Sequence, residues 1–279
     1  MTEKWNMIVD VALCENCQNC VLTNKDEHVD QGFPGYAAPM PKHGAEWIRI
    51  TRRSRGRGHH VDASYLVSMC NHCDNAPCIA VGNGAVRKRA DGIVVIDPQA
   101  AKGRKDLVDA CPYGHIWWNA AEDLPQAWTF DAHLLDQGWQ EPRASHACPT
   151  QALQAVKCSD AAMQARAARD GLQVIAPEKG TRPRVWYRNL HRITHDFLAG
   201  TVLVEAAGMK DIVEGASVAL FRAGAKLAQT TTDMFGDFKF DGLEADGAEL
   251  TVSIAAPGGS AEVRVKMTGT VVLDPIILK

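Results

Sequence analysis

Two hydrophobic patterns divide the chain. From about Leu198 onward, short β-rich runs recur between Gly, Asp and Ala turns: "TVLVEA", "SVALFR", "DFKFDG", "LTVSIAA", "AEVRVKM" and "TVVLDPIIL". Their spacing is that of a sandwich. In "DFKFD" the period is two, with Phe238 and Phe240 on one face and Asp237, Lys239 and Asp241 on the other. Val263, Val265 and Met267 alternate with Arg264 and Lys266 in the same way. This part reads as a small all-β domain, residues 198–279. Ahead of it, "SDAAMQARAARD" (Ser159 to Asp170) predicts a helix that Ser or Asp can cap. "GLQVIAPEKGTRPRVWYRNLHR", punctuated by Gly171, Pro177, Gly180 and Pro183, then predicts an extended connector strapped over a surface, and 159–197 forms a linking segment. Residues 1–158 have few long periodic runs, so bound metal rather than a large apolar core must hold them together.

Composition narrows the class. A chain of 279 residues has room for two domains, and 46% hydrophobic with 23% charged residues is ordinary for a soluble globular protein. A net charge of -3 gives no general pull toward nucleic acid. The basic run "RITRRSRGRGHH" (Arg49 to His60) reads either as a solvated loop or as a docking site for an acidic partner surface. The first residues lack the pattern of a secretory signal, and no apolar run is long enough to span a membrane. The expected location is cytoplasmic.

The nine cysteines change the picture most. All lie between Cys14 and Cys158, in an odd number and in tight motifs, which fits thiolate metal sites better than disulfides. "CENCQNC" supplies Cys14, Cys17 and Cys20; "CNHCDNAPC" supplies Cys70, Cys73 and Cys78; "ACPYG" and "ACPTQAL" supply Cys111 and Cys148. Two-cluster ferredoxins use C-x2-C-x2-C-x3-C-P, where three close thiolates hold one cubane and the fourth serves the other. A tight loop wraps three corners of a cube and cannot reach the fourth. If the motifs pair from the outside in, Cys148 completes the first trio and Cys111 the second. The local fourth positions are then Asn24 and Gly82. The competing reading is a zinc site at Cys14, Cys17, Cys70 and Cys73, which leaves the third thiol of each trio and both Cys-Pro units unexplained.

Other residues have plainer readings. Cys158 is expected to be a small buried hydrophobe. His28, His72, His146 and the His59–His60 pair are expected to pack near the thiol motifs or bond to backbone, and Tyr113, Trp117 and Trp118 to shield a cluster. Without a phosphate loop, nucleophile elbow or carboxylate pair, the chain by itself is expected to hold no active site.

The order of the motifs over about residues 5–190 resembles the small iron–sulfur subunits of molybdopterin enzymes of the dimethyl sulfoxide reductase family. "GNGAVRKRADGIVVIDPQAAKGRKDLVDACPYG", "AHLLD" and "TRPRVWYRNL" look most like the branch of pyrogallol–phloroglucinol transhydroxylase and anaerobic resorcinol hydroxylase small subunits. "EGASVALFR" with "TTDMFGDFKFDGL" is similar to a transthyretin-like or carboxypeptidase-regulatory-like module. The resemblance implies an α+β fold: a ferredoxin-like iron–sulfur domain plus a C-terminal all-β, seven-stranded transthyretin-like sandwich. It implies a large partner subunit with a bis-pterin molybdenum centre, no nucleic acid, and electron transfer during hydroxylation or transhydroxylation of a phenolic ring.

Where the family has a further cysteine set, this sequence reads Asn24, Trp128, Asp131 and Ala144. All four ligands of one cluster are missing together, so two [4Fe–4S] clusters are expected, with Trp128 filling the vacated volume. The alternatives are a mainly structural subunit with fold-stabilising clusters, or a free-standing ferredoxin.

Overall fold

The computed structural model describes residues 2–206 and 208–278. It divides into two units: Met1–Arg52 with Tyr65–Leu190, and Arg53–Ser64 with His191–Lys279.

The first unit is built on a three-stranded sheet. Its central strand, Lys4–Asp10, runs antiparallel to Leu153–Cys158 and parallel to Val185–Arg188. Both faces of "KWNMIVD" are buried because both are covered. Ile8 packs on Met163, Ala167 and Leu172, so the helix Asp160–Asp170 closes one face. Trp5, on the opposite face, lies against Phe130 at 5.7 Å between ring centroids. The helix begins where expected: the Ser159 side chain accepts a hydrogen bond from the Ala162 N–H, and Gly171 ends the helix in the left-handed region.

The connector differs from its expectation. Val185 and Tyr187 turn into the interior, and Arg184 pairs with Asp74 and Asp160 at 2.8 Å each. Val185–Arg188 pairs in parallel with Lys4–Asp10, and Tyr187 also exchanges backbone hydrogen bonds with Gln173, so these four residues are a strand of the unit's own sheet rather than a surface strap. Two short hairpins, Val86–Lys88 with Val94–Ile96 and Trp117–Asn119 with Leu124–Gln126, complete the strands around the thiol motifs. A small core of Val86, Val94, Ile96, Leu107 and Ile116 packs against Cys78 and Cys111. Each such side chain contributes about 1.5–3 kcal/mol on burial.

The second unit has two sheets around one core. In the first, Asp196–Ala206 pairs with Met209–Ile212 and Asp237–Leu243, and also with Val271–Val272 and Ile276–Leu278. The second runs Ala225–Thr231, Ser217–Arg222, Glu249–Ala256, Gly259–Lys266. Leu198, Val202, Val218, Leu220, Phe238 and Phe240 meet in the shared core, and the alternation in "DFKFD" is realised. The described residues form nine strands here rather than seven. "TVVLDPIIL" is broken at Pro275, which has no N–H for a ladder, and Met209–Ile212 adds a short piece.

The basic run lies in the strand Ile48–Arg55 as far as Arg55 and is an exposed loop from Gly56 to His59. Within the second unit its guanidinium groups are matched by carboxylates. Arg55 donates to both oxygens of Asp241 at 2.7 and 3.1 Å and to Asp62 at 2.6 Å. Arg53 donates to Asp196 and Arg57 to Asp274.

Candidate metal centres

The eight motif cysteines gather into two groups of four, both in the first unit. Cys14 and Cys17 lie in a loop where Asn16 and Gln18 adopt positive φ, which curls the backbone around a point. Cys20 follows on the first turn of the helix Asn19–His28. Cys148 arrives from the turn after the short helix Arg143–His146. Burial, followed by repulsion from Cys14 and Cys148, pushes the Cys20 thiol up to about 12, and burial likewise raises Cys14. The N–H groups of Asn16 and Val21 point at Cys14 and Cys20 and favour their thiolates.

The second group repeats the plan. His72 takes a positive φ between Cys70 and Cys73, and Cys78 sits on the short helix Pro77–Gly82. Cys111 follows the helix Asp106–Asp109, and its sulfur accepts the His115 N–H at 3.4 Å. The Cys70 thiol is raised well above its ordinary range by burial and then by Cys111, Cys78 and Cys73; Cys78 reaches about 11 from burial, Cys111 and Cys73. Thiols pressed together in this way are strongly stabilised as thiolates by a cation among them.

The spacing bears on which cation fits. Among the described residues, no three of these sulfurs lie all within 4.8 Å of one another. A tetrahedral zinc with Zn–S bonds of about 2.3 Å would hold its thiolates roughly 3.8 Å apart. The zinc reading also needs Cys14 and Cys17 beside Cys70 and Cys73, whereas the thiols that act on Cys70 are Cys111, Cys78 and Cys73. Among the described residues, neither polar atom of the buried Asn71 amide has a partner within the protein. A cluster's sulfides are acceptors for such donors, so the residues present fit an iron–sulfur cubane.

The positions without cysteines have been rebuilt. At Gly82 an added Cβ would fall 2.8 Å from Val86 Cγ2, so Val86 has closed the place where a fourth thiol would start. Asn24, Trp128, Asp131 and Ala144 are all buried. Trp128 packs on Phe130 and His72, with ring centroids 4.8 and 5.6 Å away, and Asn24 Nδ2 lies 3.7 Å from Met40 Sδ.

The sequence reading missed what replaced the ligands. Asp131 meets His28, and Glu27 meets both His133 and Arg143. These partners are about a hundred residues apart, and only the C-x2-C gap at 128 and 131 marked the region. His72, as expected, bonds to backbone, accepting the Val94 N–H at 3.0 Å. Cys158 packs against the cluster of Ile8 and Met163 but is only half-buried, rather than buried as expected. Tyr113 bonds the Thr181 hydroxyl at 2.6 Å, and Trp117 and Trp118 are half-buried in the following hairpin.

Residues 61–158 match the 4Fe-4S dicluster domain. That stretch carries the second thiol group and Cys148 of the first, whose other three thiols precede it, and the class is an iron–sulfur electron-transfer subunit of the type found in molybdopterin oxidoreductases. The chain is 44% identical over 275 residues to the pyrogallol hydroxytransferase small subunit of Pelobacter acidigallici, covering 98% of this chain and 96% of that one. It is 30% identical over 193 residues to a tetrathionate reductase subunit of Salmonella typhimurium, covering 67% and 73%. To the iron–sulfur subunit of an arsenate respiratory reductase from Shewanella it is 30% identical over 137 residues, 49% and 53% of the two chains. The chain belongs to the family of the pyrogallol hydroxytransferase small subunit. Among the described residues, no helix is long and apolar enough to cross a membrane.

Proposed function

We propose that this chain holds two [4Fe–4S] clusters, one on Cys14, Cys17, Cys20 and Cys148 and one on Cys70, Cys73, Cys78 and Cys111. It serves a cytoplasmic molybdopterin hydroxylase or transhydroxylase acting on a phenolic ring such as resorcinol or pyrogallol. The observation that carries the reading is the gathering of eight cysteines into two groups of four, each completed by a thiol from a distant Cys-Pro turn. The likeness to a pyrogallol hydroxytransferase small subunit supports the substrate class and a large partner subunit bearing the bis-pterin molybdenum centre.

Bound clusters supply one-electron storage. The chain's residues set the conditions for it: N–H groups of Asn16, Val21, His72 and His115 donate to thiolates, and burial removes water. Hydrogen bonds to sulfur and exposure to solvent are two of the levers by which a protein sets a cluster's potential. The two sheets around one core support a transthyretin-like reading of the second unit, with a structural rather than chemical task.

The test is anaerobic purification with the co-expressed large subunit, followed by iron, acid-labile sulfide and molybdenum analysis. The proposal expects about eight irons and eight sulfides per chain and one molybdenum per complex; with a hydroxylase, whose reaction releases two electrons, cluster signals change oxidation state when a phenolic substrate is added, whereas a transhydroxylase reaction is redox-neutral overall. Zinc in place of iron overturns the proposal, and clusters unchanged during net oxidation of a phenol overturn the electron-transfer role.

A further inference from the structure

A further group of metal-binding side chains lies in the second unit, whereas both thiol groups lie in the first. His59 and His60 stand side by side after a tight reversal, their rings 4.1 Å apart, and face strands Asp196–Ala206 and Asp237–Leu243. Nε2 of His59 is 3.4 Å from Asp237 Oδ1, and Nε2 of His60 is 3.5 Å from the same oxygen. All three atoms lie within 4.8 Å of one another. The Thr201 hydroxyl donates to Asp237 Oδ1 at 2.6 Å and is 3.2 Å from both histidine nitrogens.

Metal–ligand bonds of 2.0–2.1 Å to imidazole and carboxylate place tetrahedral ligand atoms roughly 3.3 Å apart. The two histidine–carboxylate separations, 3.4 and 3.5 Å, match that figure. Two imidazole nitrogens and one carboxylate oxygen are a donor set that suits zinc and similar first-row divalent ions better than magnesium or calcium, which take oxygen ligands. Asp62, Asp233 and Lys239 line the same cleft, and Lys239 is engaged, its Nζ pairing with Asp62 at 3.1 Å and Asp241 at 3.2 Å. Gly56 makes the arrangement possible. Its φ is +84°, and a Cβ there would lie 2.1 Å from the His60 carbonyl oxygen, so only glycine lets the chain turn back closely enough.

We propose that His59, His60 and Asp237 form a zinc site, with Thr201 positioning the carboxylate and a fourth place open to water beside the exposed His59. The ion cross-links the segment 53–64 to the sheet strand that carries Asp237. The site is independent of the cluster proposal, because it shares no residue with either thiol group.

Full-length protein with its clusters intact is dialysed to equilibrium against micromolar zinc, and zinc and iron are counted by mass spectrometry. The expected result is one zinc per chain beyond any in the untreated protein, lost in the His59→Ala/His60→Ala double variant, with iron unchanged. Asp237→Asn is expected to weaken zinc binding at least about tenfold. His59→Gln, at an exposed position that leaves the packing of His60 in place, is a second variant expected to weaken binding. Wild-type protein that takes up no zinc, or a double variant that binds zinc as wild type does, overturns the proposal.

Discussion

The carboxylate of Asp131 lies 3.4 Å from Nε2 of His28, and the two side chains are 1% and 0% exposed. The other oxygen, Oδ2, accepts the Arg143 N–H at 2.8 Å. Both oxygens are therefore spent within the protein. Asp131 has become a fastener between the helix Asn19–His28 and the turn that leads to Cys148. Removing it strands a buried imidazole and a backbone N–H. Asp131→Ala is expected to lower unfolding stability by about 2–4 kcal/mol while leaving the iron content as it was. Urea denaturation and iron analysis check both halves, and loss of iron in proportion would make Asp131 a ligand instead.

Trp128 is fully buried, its ring tilted at 34° to that of Phe130. Trp128→Ala leaves a cavity that a rigid aromatic surround cannot collapse into, and a loss of about 3–5 kcal/mol is expected. Trp128→Phe keeps most of the packing and should cost less than about 1.5 kcal/mol. Denaturation midpoints of the two variants test the filling role, and equal midpoints would dismiss it.

The two Cys-Pro turns make separable predictions. Cys148 acts on Cys14 and Cys20, and Cys111 acts on Cys70, Cys73 and Cys78. Cys148→Ser should degrade or remove one cluster and Cys111→Ser the other, each lowering iron from about eight toward about four per chain. Low-temperature electron paramagnetic resonance of the two reduced variants should show different surviving signals whose sum resembles the wild type. Identical surviving signals would mean that the thiols are partnered differently.

Local patterns were legible and distant ones were not, for a physical reason. Ser159 could be read as a cap because its partner, Ala162, is three residues away. Phe238 and Phe240 could be read as inward because strand geometry alone sets their side. The thiol trios were legible because a cubane constrains neighbours to fixed spacing. Asp131 with His28, Glu27 with His133 and Asp237 with His59 are 103, 106 and 178 residues apart, and no local preference links them. In the connector, Gly and Pro residues mark an irregular entry to the strand. Its alternating Val185 and Tyr187, which carry the strand, form too short a run to outweigh them. The closing of Gly82 by Val86 depends on a few tenths of an ångström, which no pattern of residue types encodes.

Asp160 offers a test through pH. It sits in the first turn of the helix Asp160–Asp170, receives hydrogen bonds from Lys4 at 2.7 Å and Arg184 at 2.8 Å, and so ties the helix to both neighbouring strands. Those two bonds, with the Lys4 bond the larger influence, hold its carboxyl at about 2, below the ordinary 3.8. Between these values the unfolded chain takes up a proton that the folded chain refuses, so stability falls as pH falls. The contribution is fully present above about pH 4 and is lost as pH drops through about 2. The side chain is half exposed, so the effect is modest and weakens in about 1 M salt. Measured at a series of pH values, the stability of wild type minus that of Asp160→Asn should be constant at neutral pH and shrink on acidification. Taking the difference between the two proteins cancels the acid sensitivity that any iron–sulfur cluster adds to both. A difference that stays level down to about pH 2, or grows, would show that Asp160 is not held ionised by Lys4 and Arg184.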